Sequence, residues 1–206
     1  MTVPTVAEKV AGEIASRIIG GVLLPGSPLR QEVFVREFGV SHAAIREAFL
    51  RLEGRRLVVS AARRGFRVIE LEPGGEREVV MMRATLEVLA LRHLGGRPSP
   101  RRLAKIEEAL DAGDQARDLI QWEVANRSFH DNLAEASGLP RLAASIAELN
   151  IVSSRYAVLR DRSTQWKPRS NHDHRRIFEA LCAGQVEQAA SLLDNHIRAI
   201  EWVARA

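Results

Sequence analysis

Phe38-Gly39-Val40-Ser41-His42-Ala43-Ala44-Ile45-Arg46-Glu47-Ala48-Phe49 decides the fold of the N-terminal third. Gly39 closes a short helix over 31–38, and Ser41 is an N-cap candidate for the next helix, which runs to about Glu53. Ala44, Ile45, Ala48, Phe49 and Leu52 recur at helical spacing and form its apolar face. Two short helices joined by a tight turn make a helix-turn-helix pattern. The second helix of such a pair enters the major groove of duplex DNA with its N-terminal residues at the base edges. Its exposed candidates are Ser41, His42, Ala43 and Arg46, with Glu47 beside them. Arg46 has the reach and donors for a guanine or a phosphate. Ser41 and the backbone N–H groups at the helix start suit a phosphate.

Outward from this pair, Val6, Val10, Ile14, Ile18 and Ile19 mark a preceding helix that Gly20-Gly21 ends. Pro25-Gly26 with Pro28 reads as a turn. Residues 57–60 and 66–69 are short strand candidates, with 61–65 as the hairpin tip. A helix before and a hairpin after make a winged helix-turn-helix, with Arg63, Arg64 and Arg67 on the wing. Residues 41–67 hold seven Arg and two Glu, a local balance of +5 against +4 for the whole chain. A solvated basic face would have the same composition. Motif and patch together are the electrostatic footprint of a double-stranded DNA binder.

The 206 residues are 46% hydrophobic and 27% charged, enough for one medium folded domain or two small ones. Residues 1–70 hold 11 basic and 7 acidic side chains, whereas 71–206 hold 19 of each. The lone Cys182 excludes an internal disulfide and a two-cysteine zinc knuckle, and a cytoplasmic location is expected. Residues 1–10 carry Glu8 and Lys9 and lack the apolar core of a signal peptide. No apolar run approaches the roughly 20 residues that span a bilayer, so no membrane partner is expected.

The pattern changes near Glu70-Leu71-Glu72-Pro73-Gly74-Gly75. Beyond it the periodicity is helical over 76–94, 100–112, 114–137, 141–161, 170–182 and 186–204. The expected fold is mainly α: a winged helix-turn-helix over 1–72, then an all-α bundle of six or seven helices over 76–206. Five of the six histidines fall in the bundle. Asn126 and His130 are four apart and share a helix face, while His174 and His196 belong to two later helices. Three imidazoles and one oxygen donor suit a divalent metal such as Zn, Ni, Cu or Fe, and the oxygen also admits Mn. By spacing alone, surface or core histidines are the commoner outcome.

Longer motifs carry a resemblance. Gly21-Val22-Leu23-Leu24-Pro25-Gly26-Ser27-Pro28-Leu29 is similar to the G-x-L-x-P-G-x-x-L signature of GntR-type bacterial transcription regulators. Gly39 to Phe49 resembles that family's G-V-S-R-x-P-V-R-E-A-L recognition helix. The chain departs at His42, Ala44 and Gln31-Glu32, which implies an operator unlike the family's common one. The later part resembles the helical FCD ligand domain of the FadR-like branch. Asn126 to Gly138 is similar to its D-x-x-F-H-x-x-L-x-x-A-S-G motif, Asp173 to Ala180 to its E-H-x-x-I-x-x-A, and Asn195-His196-Ile197 to its final H-I. The resemblance implies a divalent metal (Zn, Ni or Mn) on Asn126, His130, His174 and His196, with Asn126 standing where the family has Asp. Arg83 and Glu87 match an R-x-x-L-E stretch whose Arg faces the effector cavity in that family. Arg155 is a second effector-binding candidate.

These observations make the expected protein a transcription regulator and repressor. Two half-sites call for a homodimer, and a small organic acid would be its effector. A metal-responsive or ligand-independent regulator is the alternative. A metal-dependent hydrolase is a further one, disfavoured because H-E-x-x-H, a nucleophile elbow and a phosphate loop are all missing.

Overall fold

The computed structural model describes residues 3–61, 65–160 and 171–203. The chain divides into two compact units, Met1–Glu72 and Pro73–Ala206.

The first unit runs α1 (Val6–Ile19), β1 (Pro28–Leu29), α2 (Gln31–Phe38), α3 (His42–Gly54), β2 (Val58–Ala61) and β3 (Gly65–Val68). Thr5 and Glu8 cap α1 reciprocally, each side chain taking the other's backbone N–H. Gly39 ends α2 in the left-handed region at φ 63°, where a Cβ is strained, and so turns the chain into α3. The Ser41 hydroxyl accepts from the Ala44 N–H at 3.2 Å and caps α3. Ile45, Ala48, Phe49 and Leu52 on α3 are buried against Ile14, Ile18 and Phe34 in an apolar core. Phe49 meets Phe34 edge-on and leans on Phe66.

The three strands form one antiparallel sheet in the order β1-β3-β2. Ser60 pairs with Phe66 and Leu29 with Phe66 on the other side. Residues 28–29, expected as part of a turn, are a strand instead. Two residues are too few to show an alternating pattern, and Pro28 is compatible with strand pairing only because it lies at an edge.

The second unit runs α4 (Gly75–Arg92), α5 (Pro100–Asp114), α6 (Leu119–Ala136), α7 (Pro140–Arg160), α8 (Asn171–Cys182) and α9 (Val186–Val203). The α6 helix starts at 119 and not at 114 as the periodicity suggests. Asp118 takes the Gln121 N–H at 2.8 Å and caps it there, while α5 runs on to Asp114. Helix α4 packs on α6, α7 and α9, and α8 packs on α5 and α9. Val80, Leu91, Ile106, Leu110, Phe129, Leu133, Ile177, Leu193 and Ile197 close the apolar core. No helix is long and apolar enough to cross a membrane.

Candidate DNA-reading face and candidate metal centre

On α3 the buried residues face the core and leave His42, Ala43, Arg46 and Glu47 exposed. Ser41 keeps its hydroxyl proton available, because its oxygen is the acceptor in the cap. Two other arginines of the unit are engaged by acids. Arg17 bonds Glu13 and Glu37, and Arg51 bonds Glu47 and Glu8. Arg46 has no hydrogen bond or ion pair among the described residues, so its guanidinium is unengaged. Arg67 on β3 donates from Nη1 to the Gly26 carbonyl at 2.8 Å, which ties this wing residue to the turn before β1. Arg63 and Arg64 lie outside the described residues.

In the second unit three helices bring His130 (α6), His174 (α8) and His196 (α9) together, with one ring nitrogen of each within 4.8 Å of the others. All three rings are buried. Each shares a helix face with core residues: His130 with Leu133, His174 with Ile177, His196 with Leu193. His174 Nε2 lies 3.0 Å from His196 Nε2. That is close to the ~3.3 Å edge of a tetrahedron with 2.0–2.1 Å bonds to nitrogen. Phe129 stacks on His174 with centroids 4.3 Å apart, and Trp122 lies beyond it.

Carboxylates stand behind two of the rings. Glu87 Oε2 is 2.6 Å from His130 Nδ1, and Asp173 Oδ2 is 3.7 Å from His196 Nδ1. At 2.6 Å the Glu87 carboxylate holds a proton on His130 Nδ1 and leaves its Nε2 lone pair outward, the second-layer arrangement of metal-bound histidine, whereas Asp173 is too far from His196 for a hydrogen bond. Burial lowers the pKa of His130 and His174 well below the ordinary histidine value. Burial, with help from His130 and Arg83, lowers His196 to about 3. All three are therefore neutral near pH 7, the state in which imidazole binds metal. The donor set fits a divalent cation. Asn126 stands one turn before His130 on α6, half-buried, and its Nδ2 donates to Glu123 Oε2 at 3.5 Å.

Arg83, expected at the effector, is 2% exposed and already bonded. Its Nε donates to Glu87 Oε1 at 2.9 Å and its Nη1 to Ser153 Oγ at 2.9 Å. Glu87 thus joins Arg83 to His130. Burial raises the pKa of Glu87 and Arg83 opposes this. Arg155 is also buried, and burial lowers its pKa.

Sequence reasoning assigns no role to Glu123, Asp131, Asn150, Ser153 or Ser154. Ser154 Oγ donates to Glu123 Oε2 at 2.8 Å, and Asn150 Nδ2 donates to Asp131 Oδ1 at 2.8 Å. Burial raises the pKa of both acids. For Glu123 a local signal exists in its spacing to Asn126 and His130, one and two turns on along the same helix.

The family described as bacterial regulatory proteins, gntR family, matches residues 6–68, and the FCD domain family matches 78–199. The chain is 28% identical over 213 residues to the uncharacterized HTH-type transcriptional regulator BphR of Paraburkholderia xenovorans, covering 98% of this chain and 86% of that protein. It is 27% identical to a probable D-xylose utilization operon transcriptional repressor of Paenarthrobacter nicotinovorans, covering 97% and 88%. A solved GntR regulator from Rhodococcus sp. RHA1 superposes with a TM-score of 0.80 at 25% identity over 95% of both chains. Escherichia coli McbR/YncC shares the fold, with a TM-score of 0.82 at 22% identity over 99% of this chain and 100% of that one.

Proposed function

The chain belongs to the gntR family of bacterial regulatory proteins and carries an FCD domain, and from that premise we propose a repressor whose operator affinity is set by a small carboxylate bound beside a divalent metal. Like its relatives it is a DNA-binding transcription regulator and not an enzyme.

The observation that carries the finer reading is the pairing of an unengaged Arg46 on the capped α3 with three buried neutral histidines in the other unit. Ser41, His42, Ala43 and Arg46 would meet bases and phosphates, with Arg63, Arg64 and Arg67 on the wing. His130, His174 and His196 would hold the cation, with the Asn126 oxygen as a fourth donor. Bound there, a divalent cation supplies positive charge for an anionic effector. Arg83 and Arg155 would take the effector's carboxylate, Arg83 by yielding a bond to Glu87 or Ser153. Such an exchange shifts populations between DNA-competent and released states.

Two half-sites call for a homodimer, and α4 offers a surface for it. Glu78, Met81, Met82, Thr85, Leu89 and Arg92 are all exposed and fall on one helical stripe. A two-fold axis at Thr85 sets Met81 of one copy against Leu89 of the other, and Glu78 against Arg92, a self-complementary arrangement. Arg92 also reaches Glu187 within its own chain at 3.1 Å.

A second reading is favoured by the bonds Arg83 already makes: the metal itself is the signal. One experiment separates the two. Operator duplex selected from a random pool is titrated with the full chain, metal-loaded and metal-free, with and without a panel of small mono- and dicarboxylates. The first reading expects release only by an acid, and no release from Arg83→Ala. Release or tightening by metal alone establishes the second. If neither the wild type nor His130→Ala retains Zn, Ni or Mn, both fail.

A further inference from the structure

Glu123 is a charged group placed where charge is expensive. It sits on α6 with only 4% of its surface exposed. Its two hydrogen-bond donors are neutral: the Ser154 hydroxyl at 2.8 Å and the Asn126 amide at 3.5 Å, both on Oε2. It makes no salt bridge among the described residues, although Arg127, one turn on along α6, and Arg83 both act on its charge from a distance. Buried carboxylates in folded proteins are paired or face a cation. The groups one and two turns further along the same helix face are Asn126 and His130, and His130 belongs to the histidine cluster.

The amide of Asn126 has two ends. With Nδ2 directed at Glu123, Oδ1 is the end left for another partner, and an amide oxygen is a ligand for a divalent cation. Three imidazoles and an amide contribute no negative charge to such a centre. Glu123 supplies it one hydrogen bond away, in the way that carboxylates behind metal-bound histidines do. Glu87 already stands in that relation to His130, at 2.6 Å.

We infer that Glu123 is a positioning residue of the metal centre: it holds the Asn126 amide by Nδ2, presents Oδ1 to the cation, and provides the negative charge that the amide lacks. This rests on the reading of His130, His174 and His196 as metal ligands, and the test keeps the two apart.

Zn²⁺ affinity of the full chain is measured by chelator competition, with Co²⁺ absorption as a readout of the coordinating atoms. Loss of binding in His130→Ala establishes the site itself; if that variant binds as wild type does, the underlying reading is wrong. Given the site, Glu123→Gln is expected to weaken Zn²⁺ at least tenfold, in the range seen when outer-layer partners are lost. Asn126→Asp alone should gain little, because two carboxylates then face each other across the former hydrogen bond. Asn126→Asp with Glu123→Gln moves the charge onto the ligand and should restore affinity to the wild-type level or above, with a changed Co²⁺ spectrum. A merely structural Glu123 would not show that rescue. Unchanged Zn²⁺ affinity in Glu123→Gln overturns the inference, including the case in which only effector binding suffers. Should Glu123→Gln fail to fold, the double variant is compared with Asn126→Asp alone: tighter Zn²⁺ in the double variant supports the inference, and equal or weaker Zn²⁺ overturns it.

Discussion

The two units treat charge in opposite ways. Among the described residues, the buried polar and charged side chains are Arg83, Glu87, Glu123, His130, Asn150, Ser154, Arg155, His174 and His196, and every one lies in the second unit. The first unit has an apolar core and carries its excess of positive charge outside. Net charge alone conceals this, since the second unit, with 19 basic and 18 acidic side chains, is nearly neutral overall. A surface charge costs little desolvation and reaches a long polymer such as DNA. A buried charge costs several kcal/mol unless it is paired, so a cluster of them needs a reason. A small ligand or ion held inside the helices is such a reason.

The largest expected effect breaks the buried network at its centre. Glu87→Leu leaves Arg83 buried without its carboxylate and removes the partner of His130 Nδ1. Stripping one member from a buried pair costs about 3–5 kcal/mol. All three tryptophans lie beyond residue 120, so tryptophan fluorescence during urea unfolding follows the second unit alone. Adding Arg83→Met should recover part of the loss. A change below ~1 kcal/mol for Glu87→Leu would mean that this interior is wetter than its burial indicates.

The next effect concerns protons. A histidine with the ordinary pKa of about 6.5 loses metal affinity as acid protonates it, up to tenfold per pH unit per ring. Burial lowers all three rings, His196 to about 3, so the neutral form persists to lower pH. Lowered values mean less competition from protons. Zn²⁺ affinity should therefore change less than about tenfold between pH 7.5 and 5.5, where three exposed histidines would lose up to ~1000-fold. Chelator competition across that range gives the answer, and a steep loss would place the rings in contact with water.

In the first unit the corresponding variant is Arg46→Ala. Loss of an arginine to a base edge costs about 1–3 kcal/mol of operator affinity, and loss of a phosphate contact lowers the salt slope by about one. Either result leaves Zn²⁺ affinity unchanged if the units divide the work as described. Fluorescence anisotropy at several salt concentrations separates base from phosphate.

The same contrast governs how much of each unit is legible in its amino acids. The winged helix is legible because its signals are local: Gly39, the Ser41 cap and the apolar spacing 45, 48, 49, 52 lie within a few turns. The three histidines as candidate metal ligands are legible only through motif resemblance, since their spacing by itself favours no site. The R-x-x-L-E motif marks Arg83 as an effector residue but does not reveal its bond to Ser153, which is 70 positions away. Glu123 escapes notice for the same reason: its partner Ser154 comes from another helix. Strand β1 reads as a turn because its hydrogen-bond partner is β3, far along the chain. Buried networks are built from long-range pairs, and surface recognition helices from short-range ones.

The smallest effect tests the line drawn within the first unit itself. Arg51 lies on α3 with Arg46 and carries the same charge, yet its guanidinium is bonded to Glu47 at 2.9 Å and to Glu8 at 3.1 Å. These are exposed pairs, so Arg51→Ala should cost under about 1 kcal/mol of stability. Its effect on DNA depends on which account of the basic patch is right. If recognition depends on unengaged donors at the start of α3, Arg51→Ala leaves operator affinity within about threefold of wild type at moderate salt, because the acids beside it already screen its charge. If summed charge alone draws the duplex, Arg46→Ala and Arg51→Ala weaken binding equally and with equal loss of salt slope. An equal loss would reduce the first unit to a basic surface without a reading face. An unequal one assigns sequence reading to the capped end of α3.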